Sequence, residues 1–198
     1  MIMTNKKGQT FSEFMKEYKK KHYGKVAVTV DNVLFSICDE RLSVLLVKRG
    51  DFPYIGEWAL PGGFLDDDES CEEAAARELY EETGIDGVEL EQLYTVSTPN
   101  RDPRCKTVSN CFMGVLENPV EAYGDDDVAD AQWFAVDFAA KDDLYELVLK
   151  GEESLNAVMQ IKRCKNGKID INNSVIISQV GLAFDHAKLI LYAIESLN

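Results

Sequence analysis

Glu78, Glu81 and Glu82 stand at i, i+3 and i+4, a spacing that gathers three carboxylates on one face of an α-helix. Two unit charges about 5 Å apart repel by roughly 3 kcal/mol at an effective dielectric of about 20. No lysine relieves them, because none occurs between Lys48 and Lys106. Arg77 lies four residues from both Glu73 and Glu81, so it can neutralise one edge but cannot satisfy three acids. A hard divalent cation such as Mg2+ or Mn2+, which takes oxygen ligands, can do so. Cations held in this way can carry pyrophosphate chemistry. The competing account of the same three residues is a solvated acidic helix face.

The helix that would carry these acids has its own signals. Ser70 and Glu73 have the S-x-x-E form of a capping box, which predicts a start at Cys71. Ala74, Ala75, Ala76, Arg77, Glu78 and Leu79 are good helix formers. Gly84, after Thr83, supplies a left-handed stop. Before the helix runs Trp58-Ala59-Leu60-Pro61-Gly62-Gly63-Phe64, a strand entering a glycine-rich turn.

Gly63, Glu69 and the run Arg77-Glu78-Leu79-Tyr80-Glu81-Glu82-Thr83-Gly84-Ile85 together resemble the Nudix box of the Nudix hydrolase superfamily. The resemblance implies an α/β (α+β) fold, an α/β/α sandwich around a mixed sheet, with the box as loop-helix-loop. It implies Mg2+- or Mn2+-dependent hydrolysis of a nucleoside diphosphate linked to another group. Glu78, Glu81 and Glu82 match the metal-binding and catalytic acids. Arg77 and Glu69 match positions that brace loop and helix, and Gly63 and Gly84 are structural positions of the box. Gly62 matches a position whose backbone carbonyl reaches a metal in ADP-ribose pyrophosphatases. Thr98-Pro99 with Arg101-Asp102-Pro103-Arg104, and Gly181-Leu182-Ala183-Phe184-Asp185-His186-Ala187, are similar to strings of the ADP-ribose pyrophosphatase-like branch. The expected substrate is therefore ADP-ribose, giving AMP and ribose 5-phosphate. Two other functions stay open: hydrolysis of oxidised nucleoside triphosphates, and an ADP-ribose-sensing regulator. Relatives of the regulator kind carry a winged-helix domain after the last helix, and the twelve residues after His186 are expected to leave no room for one. The resemblance also implies a homodimer.

Outside the box, Arg101 and Arg104 flank a proline turn and could fork onto phosphate oxygens, or simply pair with surface acids. Trp58, Phe52 and Tyr54 could stack on adenine or belong to the core. Asp185 is read as a helix cap beside a hydrogen-bonded His186, and Asp125 to Asp130 as a loop that could supply an additional base or be merely solvated.

The 198 residues, 45% hydrophobic and 28% charged, suit one domain with one core: a centre over 25–140, an amphipathic helix within 1–24, and an extension over 141–198. A net charge of −14 repels nucleic acid, so the expected partner is a small nucleoside diphosphate met through metal. No apolar run approaches the roughly 20 residues that span a bilayer, and no membrane role is expected. Cys38, Cys71, Cys105, Cys111 and Cys164 form no C-x-x-C pair, which favours reduced thiols and a cytoplasmic setting. Alternation and turns predict strands over 25–37, 42–48, 88–97, 107–116 and 132–136. They also predict a helix over 142–149, a hairpin around Lys165-Asn166-Gly167-Lys168, and a closing helix over 183–197.

Overall fold

The computed structural model describes Thr10, Ser12, Glu13, Lys16 and residues 26–123 and 128–197. Most of the helix expected within 1–24, and Asp125 to Asp127, lie outside the described residues.

One nine-stranded sheet organises the chain. β1 (Ala27–Cys38) and β2 (Arg41–Arg49) form an antiparallel hairpin. Its two turn residues, Asp39 and Glu40, have φ of 50° and 60°, the left-handed pair that matches the twist of a two-residue hairpin. β3 (Trp58–Ala59) pairs with β2, and β4 (Glu91–Val96) pairs with β5 (Thr107–Leu116). β5 runs parallel to β1, so the sheet is mixed. β6 (Val128–Lys141), β7 (Leu144–Lys150), β8 (Ser154–Gln160) and β9 (Val175–Val180) extend it antiparallel from the β2 side.

Two helices cover opposite faces, and the alternation along β1 shows why that strand is buried on both. Val30 packs with Ala74 and Ala75, and Leu34 with Leu79, on the face of α1 (Cys71–Thr83). The Asn32 side chain, on the same face, donates to the Ala75 carbonyl at 2.9 Å. Val33 and Phe35 point the other way, into the cluster that holds Leu189, Ile190 and Ile194 of α2 (His186–Ser196). The result is the expected α/β/α sandwich of the α/β class.

Three expectations need correction. Residues 142–149 are not helical: β7 occupies Leu144–Lys150, with Tyr145, Leu147 and Leu149 buried at every second position. Leu and Glu are good helix formers, but the period here is two, and pairing with β6 and β8 decides the outcome. β6 is much longer than 132–136, and β9, an edge strand of exposed Val175, Ile177 and Val180, was not anticipated. The turn at 165–168 is present: Arg163 bridges to Ile169, and the Cys164 amide donates to the Lys168 carbonyl at 2.8 Å.

Candidate active site

The capping box fixes the register of α1. The Ser70 hydroxyl accepts from the Glu73 amide at 3.2 Å, and the Glu73 carboxylate accepts from the Ser70 amide at 2.8 Å. At the other end Gly84 sits at φ 71° and donates to the Tyr80 carbonyl at 2.8 Å. With Ala74, Ala75 and Leu79 held against the sheet, geometry sends Glu78, Glu81 and Glu82 towards the loop that precedes the helix. All three line one cleft of about 370 Å3, together with Arg49, Gly62 and Arg104.

Arg77 binds the acids together. Its guanidinium makes a two-pronged contact with Glu69 at 2.6 and 2.9 Å. It also donates to Glu78 and Glu81 at 2.9 Å each, and to the Phe64 carbonyl at 3.1 Å. Those Arg77 bonds, helped by the Asp66 amide, hold the Glu69 carboxyl down at about 2. Close approach to backbone requires glycine at 62, and at 63 any side chain would displace the Glu78 carboxylate. A Cβ on Gly63 would lie 2.3 Å from Glu78 Oε1, and one on Gly62, at φ 153°, would lie 2.1 Å from the Val30 carbonyl oxygen. The Pro61 and Gly63 carbonyls accept from Asn32 and Val30 of β1. Successive carbonyls of extended chain alternate, so the Gly62 carbonyl is directed away from β1. The Gly62 amide donates to Glu82 Oε2 at 2.8 Å.

Electrostatics mark Glu78 and Glu82 as under-compensated. Burial raises the Glu78 carboxyl against the pull of Arg77. Burial, reinforced by Glu78, pushes Glu82 up to about 8 despite the Gly62 amide and Arg49. Among the described residues no three such side chains close on one point as they lie, because Arg77 holds Glu78 and Glu81 while Glu82 turns to Gly62. The donors nonetheless suit a hard cation: each is an oxygen, and two are carboxylates whose charge is costly where they sit.

The remaining expected site residues separate. Arg104 reaches the cleft, forked onto Asp102 with a shortest contact of 2.8 Å and lying 4.9 Å from the centre of the Phe64 ring. Arg101 is buried, pairing with Asp185 at 2.8 Å and Asp31 at 3.2 Å, and it touches only the wall of a small recess beside the cleft. Trp58 is 2% exposed and packs edge-on against Phe134 at 4.8 Å, so its ring is core and offers no face to a ligand. Phe52, 72% exposed, stands open at the cleft rim, and the exposed Phe64 ring lines the same cleft. Asp185 makes no side-chain capping hydrogen bond; its carboxylate pairs with Arg101 instead. His186 is hydrogen-bonded, accepting from the Leu60 amide at 2.9 Å.

Two residues escaped sequence reading. Arg49 ends β2, lines both cleft and recess, donates to the Pro53 carbonyl at 2.7 Å and lies over the Phe184 ring. Asp31 carried a usable signal, because an acid inside an otherwise apolar strand demands a partner.

The NUDIX domain family model matches residues 28–150. An ADPR responsive transcriptional repressor, NtrR, of Acinetobacter baylyi is 33% identical over 133 residues, covering 66% of this chain and 53% of that protein. An ADP-ribose pyrophosphatase of Methanocaldococcus jannaschii is 38% identical over 109 residues, covering 54% of this chain and 61% of that protein. The chain thus spans little more than half the length of these two relatives. Among solved structures, the NUDIX domain of Shewanella oneidensis NrtR complexed with ADP ribose superposes with a TM-score of 0.67 at 30% identity, covering 96% of this chain and 100% of that one. A capped helix presenting Glu78, Glu81 and Glu82 across from Gly62, inside a matched span of well over half the sequence, places this chain in the NUDIX domain family.

Proposed function

We propose that the chain is a divalent-cation-dependent pyrophosphohydrolase of nucleoside diphosphate derivatives, with ADP-ribose, cleaved to AMP and ribose 5-phosphate, as its leading substrate. The observation that carries the reading is the joint presence of Glu78, Glu81 and Glu82 in one cleft with the guanidiniums of Arg49 and Arg104. Glu78, Glu81, Glu82 and the Gly62 carbonyl would hold Mg2+ or Mn2+. When bound, such ions neutralise a diphosphate and lower the pKa of a coordinated water.

The chain's own groups do the rest. Arg104, steadied by Asp102 and Phe64, and Arg49, steadied by Pro53 and Phe184, face the acids across the cleft and bind phosphate oxygens, stabilising charge on the transferring group. Arg77, anchored by Glu69, holds Glu78 and Glu81 in place by direct hydrogen bonds. The exposed Phe52 ring offers a stacking surface for a base. Similarity to an ADP-ribose pyrophosphatase and to a NUDIX domain bound to ADP ribose supports the choice of substrate. A homodimer and a cytoplasmic setting belong to the same proposal; exposed Val175, Ile177 and Val180 on edge strand β9 are a surface a second copy could cover, and light scattering tests that point.

The similarity to a transcriptional repressor favours a second reading, an ADP-ribose sensor without catalysis; the complete set of acids weighs against it. A nucleotide panel with Mg2+ or Mn2+ separates the readings. ADP-ribose hydrolysed to AMP, and lost in Glu82→Gln, supports the enzyme. Binding of ADP-ribose without turnover supports the sensor, and equal rates on deoxynucleoside triphosphates overturn the substrate.

A further inference from the structure

Of the A-F-D-H-A string at 183–187, Phe184 backs Arg49, while His186 has no part in the chemistry just described and sets a buried imidazole behind the loop that carries Gly62. The chain from Trp58 to Gly63 is stitched on two sides. Asn32 and Val30 of β1 donate to the Pro61 and Gly63 carbonyls at 2.8 and 2.9 Å. On the other side Trp58 donates to Gly181 and accepts from Ala183, both at 2.8 Å. Pro61 has no amide hydrogen, so the Leu60 amide is the last backbone donor before Gly62. It is spent on His186 Nδ1, at 2.9 Å, and His186 is itself only 4% exposed.

An Nδ1 that accepts requires the ring proton on Nε2. That nitrogen lies 3.4 Å from Asp31 Oδ1. Asp31 is fixed in turn by the Ser109 hydroxyl at 2.6 Å and by Arg101, and Asp185 by Arg101 and, at 3.7 Å, Lys188. The charged groups around the imidazole are therefore Asp31 from β1, Arg49 from β2, Arg101 from the connection between β4 and β5, and Asp185 and Lys188 at the start of α2. The Phe184 ring stacks on the imidazole at 5.2 Å and restricts its rotation. A second ring proton would set a donor against the Leu60 amide, so the bond selects the neutral ring; burial acts in the same direction.

We propose that His186 is a positioning residue for the metal site: by accepting the Leu60 amide it fixes the Leu60-Pro61-Gly62 peptides and thereby aims the Gly62 carbonyl at the cleft. The inference rests on the metal reading under Proposed function. It differs from a merely structural role for His186 in one respect, that divalent-cation affinity depends on the acceptor at Nδ1. Groups that orient a metal ligand from behind typically change affinity by about 10- to 100-fold when lost.

The wild-type protein supplies the first test. Nitrogen-15 NMR should show scalar coupling across the hydrogen bond between the Leu60 amide and His186 Nδ1, and Mg2+ should shift both signals. Two variants supply the second. In His186→Asn the amide oxygen can stand where Nδ1 stood, so Mn2+ affinity should stay within about threefold of wild type. His186→Gln reaches the Nε2 position instead, so Mn2+ should bind about 10- to 100-fold more weakly, with kcat falling more than KM rises. Absence of the coupling overturns the proposal whether or not the variants fold. Undiminished Mn2+ affinity in His186→Gln, with tight binding by wild type, overturns the positioning role alone. Coupling in a wild-type protein that binds no Mn2+ overturns the metal reading and the positioning role together.

Discussion

Two clusters of charged groups meet at the Leu60–Gly62 segment, and they are balanced differently. Beneath the segment, Arg101 and Lys188 face Asp31 and Asp185, two cations against two anions. Burial alone would raise the Asp31 carboxyl, but Arg101 and the Ser109 hydroxyl hold it below its ordinary value. Along the cleft, Arg77 alone pairs with Glu69, Glu78 and Glu81, and burial keeps the Glu82 pKa raised even with Arg49 nearby. The first cluster is closed and holds the fold. The second is short of positive charge, and that shortage is what a divalent cation would correct.

The contrast can be broken from either side. The largest effect is expected for Glu82→Gln, which should lower kcat on ADP-ribose by about 100-fold or more while the protein stays folded by circular dichroism. A variant with wild-type turnover would remove Glu82 from the account. Arg101→Met should do the reverse damage. It leaves Asp31 and Asp185 buried with too little positive charge, a loss of roughly 3–5 kcal/mol readable as a lower midpoint in urea. A loss near zero would mean the lower cluster is not the closed network described.

Sharper still is pH. The Glu82 carboxyl titrates at about 8 in the folded protein against an ordinary 4.5. Its protonated form is therefore favoured by folding. The associated stability is complete below about 4.5 and is lost as pH rises through about 8. In a chelator, melting of the wild type should fall by several degrees relative to Glu82→Gln across that window, and Mg2+ should narrow the gap. Parallel profiles would contradict the electrostatic assignment. The smallest effect belongs to Ser70→Ala, which removes the α1 cap and should cost about 1 kcal/mol in chemical denaturation with kcat nearly unchanged. A large fall in kcat there would mean the cap also tunes the site.

What could be read from sequence follows the range of the determining interaction. α1 was legible to the residue, because Ser70, Glu73 and Gly84 act on backbone within one turn. β1, β2 and β5 were legible from runs of β-branched and apolar residues. β7 was not: Leu144 to Lys150 is acceptable to a helix, and only pairing with β6 and β8 makes it a strand. In the site, the acids on one helix face were visible because their spacing is local. Sequence alone leaves Arg101 open to a substrate role because its partner Asp185 lies 84 residues away and Asp31 lies 70 away. Trp58 reads as a possible adenine platform because nothing near it in sequence announces Phe134. Arg49 gave no signal, since one arginine at a strand end is ordinary until the fold turns it into the cleft.

Anomalous scattering from crystals soaked in Mn2+ would locate any cation held by the cleft carboxylates. Manganese is expected beside Glu78, Glu81 and Glu82, with the Gly62 carbonyl as a ligand and Arg77 withdrawn from at least one of its acids. Crystals with no manganese at those carboxylates, and Arg77 still bonded to Glu69, Glu78 and Glu81, would contradict the metal reading.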